Sequence, residues 1–225
     1  MMNVLGIILL GSLLAQTKTS TADLSGFWEL RFDSKNIPPA ALVSKVTAKD
    51  MEAHRERDRM AIRWCNFLGV PALMEQSPLD IRQGRIEVAI VAQAVSTARH
   101  IYTDGRGHVN PHTFDPTTNG HSIGRWEGDT FIVDTIGFAA DRGITSIPGG
   151  GYKTADSHLV ERYRLLNGGN QLYVTFTWED PNVFAKPHTY EFRYYRASKD
   201  TNARNWSCDP FDEERARFLT QSPRN

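Results

Sequence analysis

The 225-residue chain predicts a mainly β protein, an antiparallel barrel carrying one surface helix and a short C-terminal helix. Three observations lead there. From residue 79 onward, segment after segment alternates apolar and polar residues with the period of a strand. Turn residues stand between those segments, above all Glu127-Gly128-Asp129 and Asn167-Gly168-Gly169-Asn170, as hairpin loops require. A single stretch, residues 47–64, leaves that period for charged helix formers. The length suits one domain with a core of its own, expected over residues 16–225.

Taken in order, the chain begins with an apolar run from Val4 to Ala15 that is too short to span a bilayer and gives way to polar residues. It reads as a signal peptide over residues 1–15, so a periplasmic or secreted protein is expected. Strand one follows, with Trp28, Leu30 and Phe32 on one face and Phe27, Glu29 and Arg31 on the other. In the helix, Thr47 and Asp50 form a capping box, and the run His54 to Arg59 reads as a solvated, ion-paired face. Further strands are expected at 79–83, 86–93, 99–103, 121–126, 130–135, 158–166, 171–179 and 188–196, nine in all with the first. The Gly-rich, polar segment 137–156 reads as a lid over a barrel mouth, and residues 211–221 as the terminal helix.

Charge and cysteine usage narrow the partners. Lys plus Arg and Asp plus Glu are 26 each, so no net field attracts nucleic acid or an anionic membrane surface. Cys65 and Cys208 are the only cysteines, and in an oxidising compartment two such thiols are expected to pair. A small molecule is the expected partner; oligomeric state is left open.

Chemistry concentrates between residues 100 and 134. His100, His108, His112 and His121, with Asp104 and Asp115, are ligand types for zinc or iron. Gly105, Gly107 and Pro111 deny them helical spacing, however, and no H-E-x-x-H or C-x-x-C is present. No cofactor is therefore expected, with a metal as the alternative. For metal-free acid/base work, His121 and His158 each open a strand, and Glu161 shares an apolar face with Leu159, Tyr163 and Leu165, where a carboxyl must find a partner or shift its pKa. These three form the expected catalytic set. Tyr102, Asp104, Arg106, His108 and Arg125 are expected substrate contacts, joined by Tyr190 from the aromatic face His188, Tyr190, Phe192 and Tyr194. Arg125, Glu127, Asp129 and Asp134 read equally well as ion pairs around one hairpin. Ser122 cannot use its neighbour His121 as a base, because adjacent strand residues face opposite ways.

Two resemblances add to this. Gly26-Phe27-Trp28 resembles the Gly-x-Trp opening of lipocalin-type, calycin-like barrels. RHIYTDGRGH, GHSIGRWEGDTFIVDTIGF and HLVERYR resemble a family of exported bacterial proteins with the patterns R-x-I-Y-T-D-G-R-x-H, G-H-S-x-G-R-W-E-G-D-T-x-x-V-D-T and H-x-x-E-R, over roughly residues 65–178. That resemblance implies export and a shared fold and brings no reaction with it. The expectation is an exported β-barrel enzyme of lyase, hydratase or isomerase type acting on a small apolar or aromatic molecule. A non-catalytic lipocalin-like binder, a histidine-site metal enzyme and an envelope structural protein are the alternatives.

Overall fold

Nine strands follow one another around a single closed barrel in chain order: β1 (Gly26–Leu30), β2 (Leu79–Gln83), β3 (Glu87–Ala92), β4 (Thr97–Tyr102), β5 (His121–Glu127), β6 (Thr130–Ile136), β7 (His158–Leu166), β8 (Gln171–Glu179) and β9 (His188–Arg196). The computed structural model describes residues 22–31, 36–43, 45–65, 69–76, 78–92, 97–110 and 113–201. The expected signal peptide, the terminal helix, His112 and Cys208, and with it the pairing to Cys65, lie outside the described residues.

The mainly β barrel is what periodicity predicts, and its lipocalin-like form is what the Gly-x-Trp resemblance implies, with one departure. Neighbouring strands of a ring can alternate in direction all the way round only if their number is even. With nine strands, one pair must run parallel, and that pair is β4 and β5, joined by only Ile101↔Ser122 and Tyr102↔Ile123. A parallel join needs a long crossover. The chain supplies it in the segment 103–120, which leaves the wall after Tyr102 and re-enters it at His121, so that the end of β4 lies beside the start of β5.

Alternation decides which side chains enter the barrel. Trp28, Ile90, Ile101, Phe131, Val133, Tyr163, Val174, Phe176 and Tyr194 point inward and are all but fully buried. The Trp28 indole N–H donates to Leu24 O at 2.9 Å, and the Arg196 guanidinium lies 4.2 Å over its ring. The expected aromatic face of β9 is also internal. Tyr190 is buried, stacked on Phe176 at 4.9 Å between ring centres, with its hydroxyl accepting from the Trp178 indole at 3.3 Å. It fills core and is not an open ligand wall, which corrects its expected role as a substrate contact.

The inner face also holds one buried charge pair. Arg99 and Glu161 are both fully buried, with Nη1 to Oε1 at 2.9 Å. Tyr163 donates to Glu161 Oε1 at 2.8 Å, while Arg99 also donates to Ser122 and Thr135. Every charge-bearing atom of the knot has a partner, which a dry interior demands.

Helix α1 (Ala48–Arg63) carries the expected capping box: Asp50 N donates to Thr47 Oγ1 at 3.2 Å and Thr47 N to Asp50 Oδ2 at 2.9 Å. Its charged run divides by helical period. Glu52, Arg55, Glu56 and Arg59 pair in solvent. His54 and Asp58, one turn apart, instead face the body, which corrects the reading of this run as wholly solvated. The His54 ring stacks on Tyr152 at 3.5 Å, and Asp58 accepts from Thr145 N at 2.7 Å, Thr145 Oγ1 at 3.0 Å and Ser146 N at 3.0 Å. Asp58→Ala strands these buried donors and is expected to lower stability by about 2–3 kcal/mol in urea denaturation. A loss under about 0.5 kcal/mol would show that helix and loop are not tied there.

Segment 137–156 does cover a barrel end, but it is fastened. Besides Asp58, the buried Lys153 donates to Val70 O at 2.7 Å and Thr118 O at 2.9 Å, and Ala41 N donates to Gly149 O at 2.8 Å. Burial pushes the Lys153 ammonium down to about 7. Among the described residues no helix is long and apolar enough to cross a membrane.

Candidate functional site

The site lies on the outside of the barrel, where β5, β6 and β7 run side by side beneath the crossover. The Glu127-Gly128-Asp129 hairpin pairs His121 with Ile136 and Ile123 with Asp134, so His121 and Asp134 share the outer face. Asp134 pairs in turn with Val160, which sets His158, two residues earlier, diagonally beside it on the same face. The returning crossover lowers His108 onto this trio.

The four side chains make a continuous chain of contacts. His108 Nδ1 is 3.0 Å from His121 Nδ1, and His108 Nε2 is 3.0 Å from Asp134 Oδ1. The same Asp134 Oδ1 is 3.0 Å from His158 Nε2, and His158 Nδ1 lies 3.5 Å from Glu179 Oε2. Proton positions follow from this network. A carboxylate only accepts, so His108 holds its proton on Nε2 and, when neutral, accepts at Nδ1. His121 then donates from Nδ1 and keeps the lone pair on Nε2.

The electrostatics separate the two outer histidines. Burial, then the neighbouring His108 and Arg106, push His121 below the usual histidine value, favouring the neutral ring. The hydrogen bond to Asp134, against some desolvation and with help from Glu179, raises His158 and favours the imidazolium. Asp134 is held low by His158 and then His108. Stability from the His158 shift is therefore present below the unfolded-state pKa of about 6.5 and lost as pH rises through the folded value. Stability from Asp134 is present above about 3.9 and lost as pH falls through its depressed pKa. Asp134→Asn is expected to drop the His158 pKa, read by NMR titration of the imidazole; an unmoved titration would break the assignment.

Two clefts adjoin the chain, with Phe114 lining both. One, of about 220 Å³, is lined by Ala98, His100, Tyr102, Phe114 and His121. The other, of about 340 Å³, is lined by Phe114, Pro116, Ile136, Gly137 and His158. Tyr102 and Phe114 stand 5.5 and 5.8 Å from the His121 ring centre, Phe114 edge-on. Gly137 makes room for Phe114: at φ +74 its absent Cβ would come within 2.8 Å of that ring.

Of the expected site residues, His108, His121, His158 and Tyr102 are brought together. Asp104 and Arg106 pair with each other, Nη2 to Oδ2 at 2.5 Å, and the Arg106 guanidinium lies 4.0 Å over Tyr102, so they brace the cleft wall. Arg125 pairs with Glu127 at the far end of β5, out of reach of the site. Glu161 faces the opposite way, into the barrel and onto Arg99, so the expected His121, His158 and Glu161 trio is not assembled. Asp134, read from the sequence as a hairpin ion-pair residue, takes the place expected of Glu161. Ser122 is internal, and the strand rule that separates it from His121 holds.

Among the metal alternatives, His100 turns to Glu87 at 3.2 Å while both ring nitrogens of His108 are engaged by His121 and Asp134. Among the described residues no group of three or more His, Cys, Asp or Glu forms a metal-holding cluster. No protein family, curated protein or solved structure matches this chain.

Proposed function

We propose that this protein is an exported enzyme of lyase, hydratase or isomerase type that moves a proton on a small, partly aromatic or apolar molecule bound against the outer wall of the barrel. The observation that carries this is the chain His121–His108–Asp134–His158, which leaves His121 Nε2 as a free lone pair beside a cleft. A neutral imidazole next to a bound substrate is the standard equipment of a general base.

The remaining members support that base. When His121 Nε2 takes a proton, its Nδ1 proton can pass to His108 Nδ1, and the positive charge then sits beside Asp134. His121 then carries its proton on Nε2 and returns it to the substrate as the relayed proton comes back from His108 Nδ1 to His121 Nδ1, which leaves both rings neutral again. His158 is held as an imidazolium by Asp134, its Nδ1 proton only loosely engaged by Glu179, and it can supply a proton from the second cleft. Environments that drive two titratable groups apart in pKa are how one site runs acid and base steps together. Tyr102 and Phe114 offer ring faces and edges for a flat substrate, in a cleft smaller than those that take drug-sized ligands. Export rests on the apolar run 4–15, the expected Cys65–Cys208 pairing and the sequence resemblance.

The test is solvent exchange, which detects proton transfer whatever the product is. Small aromatic ketones, enols and unsaturated acids are incubated with the protein in D2O and followed by NMR. Protein-dependent deuterium incorporation or conversion of at least one of them is expected. Recovery of every compound unexchanged, together with an unaltered ligand carried through purification, would sink the catalytic reading and leave a passive binder.

A further inference from the structure

A second, separate feature lies at the covered barrel end. The short 3-10 turn Ala72–Glu75 sits across that end, held where the Tyr194 hydroxyl donates to Met74 O at 2.6 Å. Between this turn and the fastened loop runs a cleft of about 370 Å³, lined by Ala72, Glu75, Gln76, Ile144, Ser146, Ile147 and Pro148. Ala72, Ile144, Ile147 and Pro148 give it apolar walls beside the polar Glu75, Gln76 and Ser146. The single charged group in that lining is the Glu75 carboxyl, which has no hydrogen-bond or ion-pair partner among the described residues.

That isolation sets Glu75 apart from carboxylates that are buried more deeply. Asp58 is met by Thr145 and Ser146, Asp180 by Ser157 and Thr154, and Glu161 by Arg99. The Tyr190 and Tyr194 hydroxyls of β9 sense Glu75 electrostatically, and they bring no positive charge. Burial pushes the Glu75 carboxyl up to about 6, so at neutral pH it is still mostly ionised. A carboxylate left partly desolvated without a counter-charge is costly unless something else supplies one.

We infer that the cleft between the Ala72–Glu75 turn and residues 144–148 is a binding site for a small organic ammonium ion, its cationic nitrogen on Glu75 and its apolar body along Ala72, Ile144, Ile147 and Pro148. A charge-assisted hydrogen bond satisfies the carboxylate, and apolar contact covers the walls. The site stands apart from the histidine chain, since none of its lining residues belongs to either outer cleft. It is thus a second site and does not depend on the catalytic reading.

The experiment is calorimetric titration of the full chain with benzylamine and with benzyl alcohol, which has a similar shape and no charge, at about pH 7.5, where an amine is protonated and a carboxylate of this kind ionised. Saturable binding of benzylamine, with benzyl alcohol at least about tenfold weaker, is expected. Glu75→Gln, near-isosteric and uncharged, should weaken benzylamine by about tenfold or more while leaving the melting temperature unchanged or higher. Ser146→Lys, which sets a tethered ammonium in the same cleft, should block the amine as well and guards against a folding effect of the first variant. Equal affinity for amine and alcohol, an unchanged affinity in both variants, or no saturable binding of benzylamine would each overturn the inference.

Discussion

Glu161→Ala is expected to destabilise the barrel by about 3–5 kcal/mol, the usual cost of leaving one member of a buried ion pair alone. Arg99 and Glu161 are each fully buried, and removing the carboxylate leaves a guanidinium inside the barrel whose remaining partners, Ser122 and Thr135, are neutral hydroxyls. Tyr163 also loses its acceptor. Arg99 does not escape by losing its proton, because a guanidinium keeps its charge in proteins, and the Glu161 carboxylate that offsets its burial is the group removed. Urea midpoints check the figure, and a loss under about 1 kcal/mol would mean the pair does not hold the wall together. The paired change Arg99→Met with Glu161→Leu should recover much of the loss, since apolar replacements of a whole buried pair are often neutral. Turnover per folded molecule should be untouched by either, which separates a structural Glu161 from the catalytic one its sequence position suggests.

His121→Gln is expected to lower kcat on any substrate found by solvent exchange by about 10²–10⁴-fold, the range for loss of a general base. The amide can still donate to His108 but has no basic nitrogen to offer the cleft. KM should change much less, because Tyr102, Phe114 and His100 still line the cleft. His108→Gln should cost less than His121→Gln while moving the acid limb of the pH–rate profile, since it removes the acceptor for the His121 proton and not the base itself. An unchanged rate in His121→Gln would end the proposed mechanism, whatever the other variants do.

The barrel was legible because inward and outward residues alternate without a break over its longest strands. Leu172, Val174, Phe176 and Trp178 all point in, and the spans 158–166, 171–179 and 188–196 coincide with β7, β8 and β9. The helix start was legible for a different reason, namely that a capping box is a local device. Periodicity could not say what stands across the barrel from Glu161. An apolar face demands that a carboxyl there be compensated, and the compensating Arg99 is distant in sequence. Its signal was present all the same: Thr97, Arg99 and Ile101 alternate with Ala98, His100 and Tyr102, which marks Arg99 as inward. Asp134 was recoverable too, since counting back around Glu127-Gly128-Asp129 puts it on the face of His121. His108 was not. Its meeting with Asp134 depends on the path of an irregular segment, which no strand or helix period describes.

The parallel seam between β4 and β5 has a consequence for how such a protein can change over time. A hairpin there would need only a few residues, with little freedom to alter them, whereas the crossover at 103–120 bears His108 and Phe114 and belongs to none of the nine strands. The wall contributes His121, Asp134 and His158 as a fixed bench. Exchange of the crossover alone would re-tool that bench for another substrate while the ring of strands, already closed beneath it, kept its register.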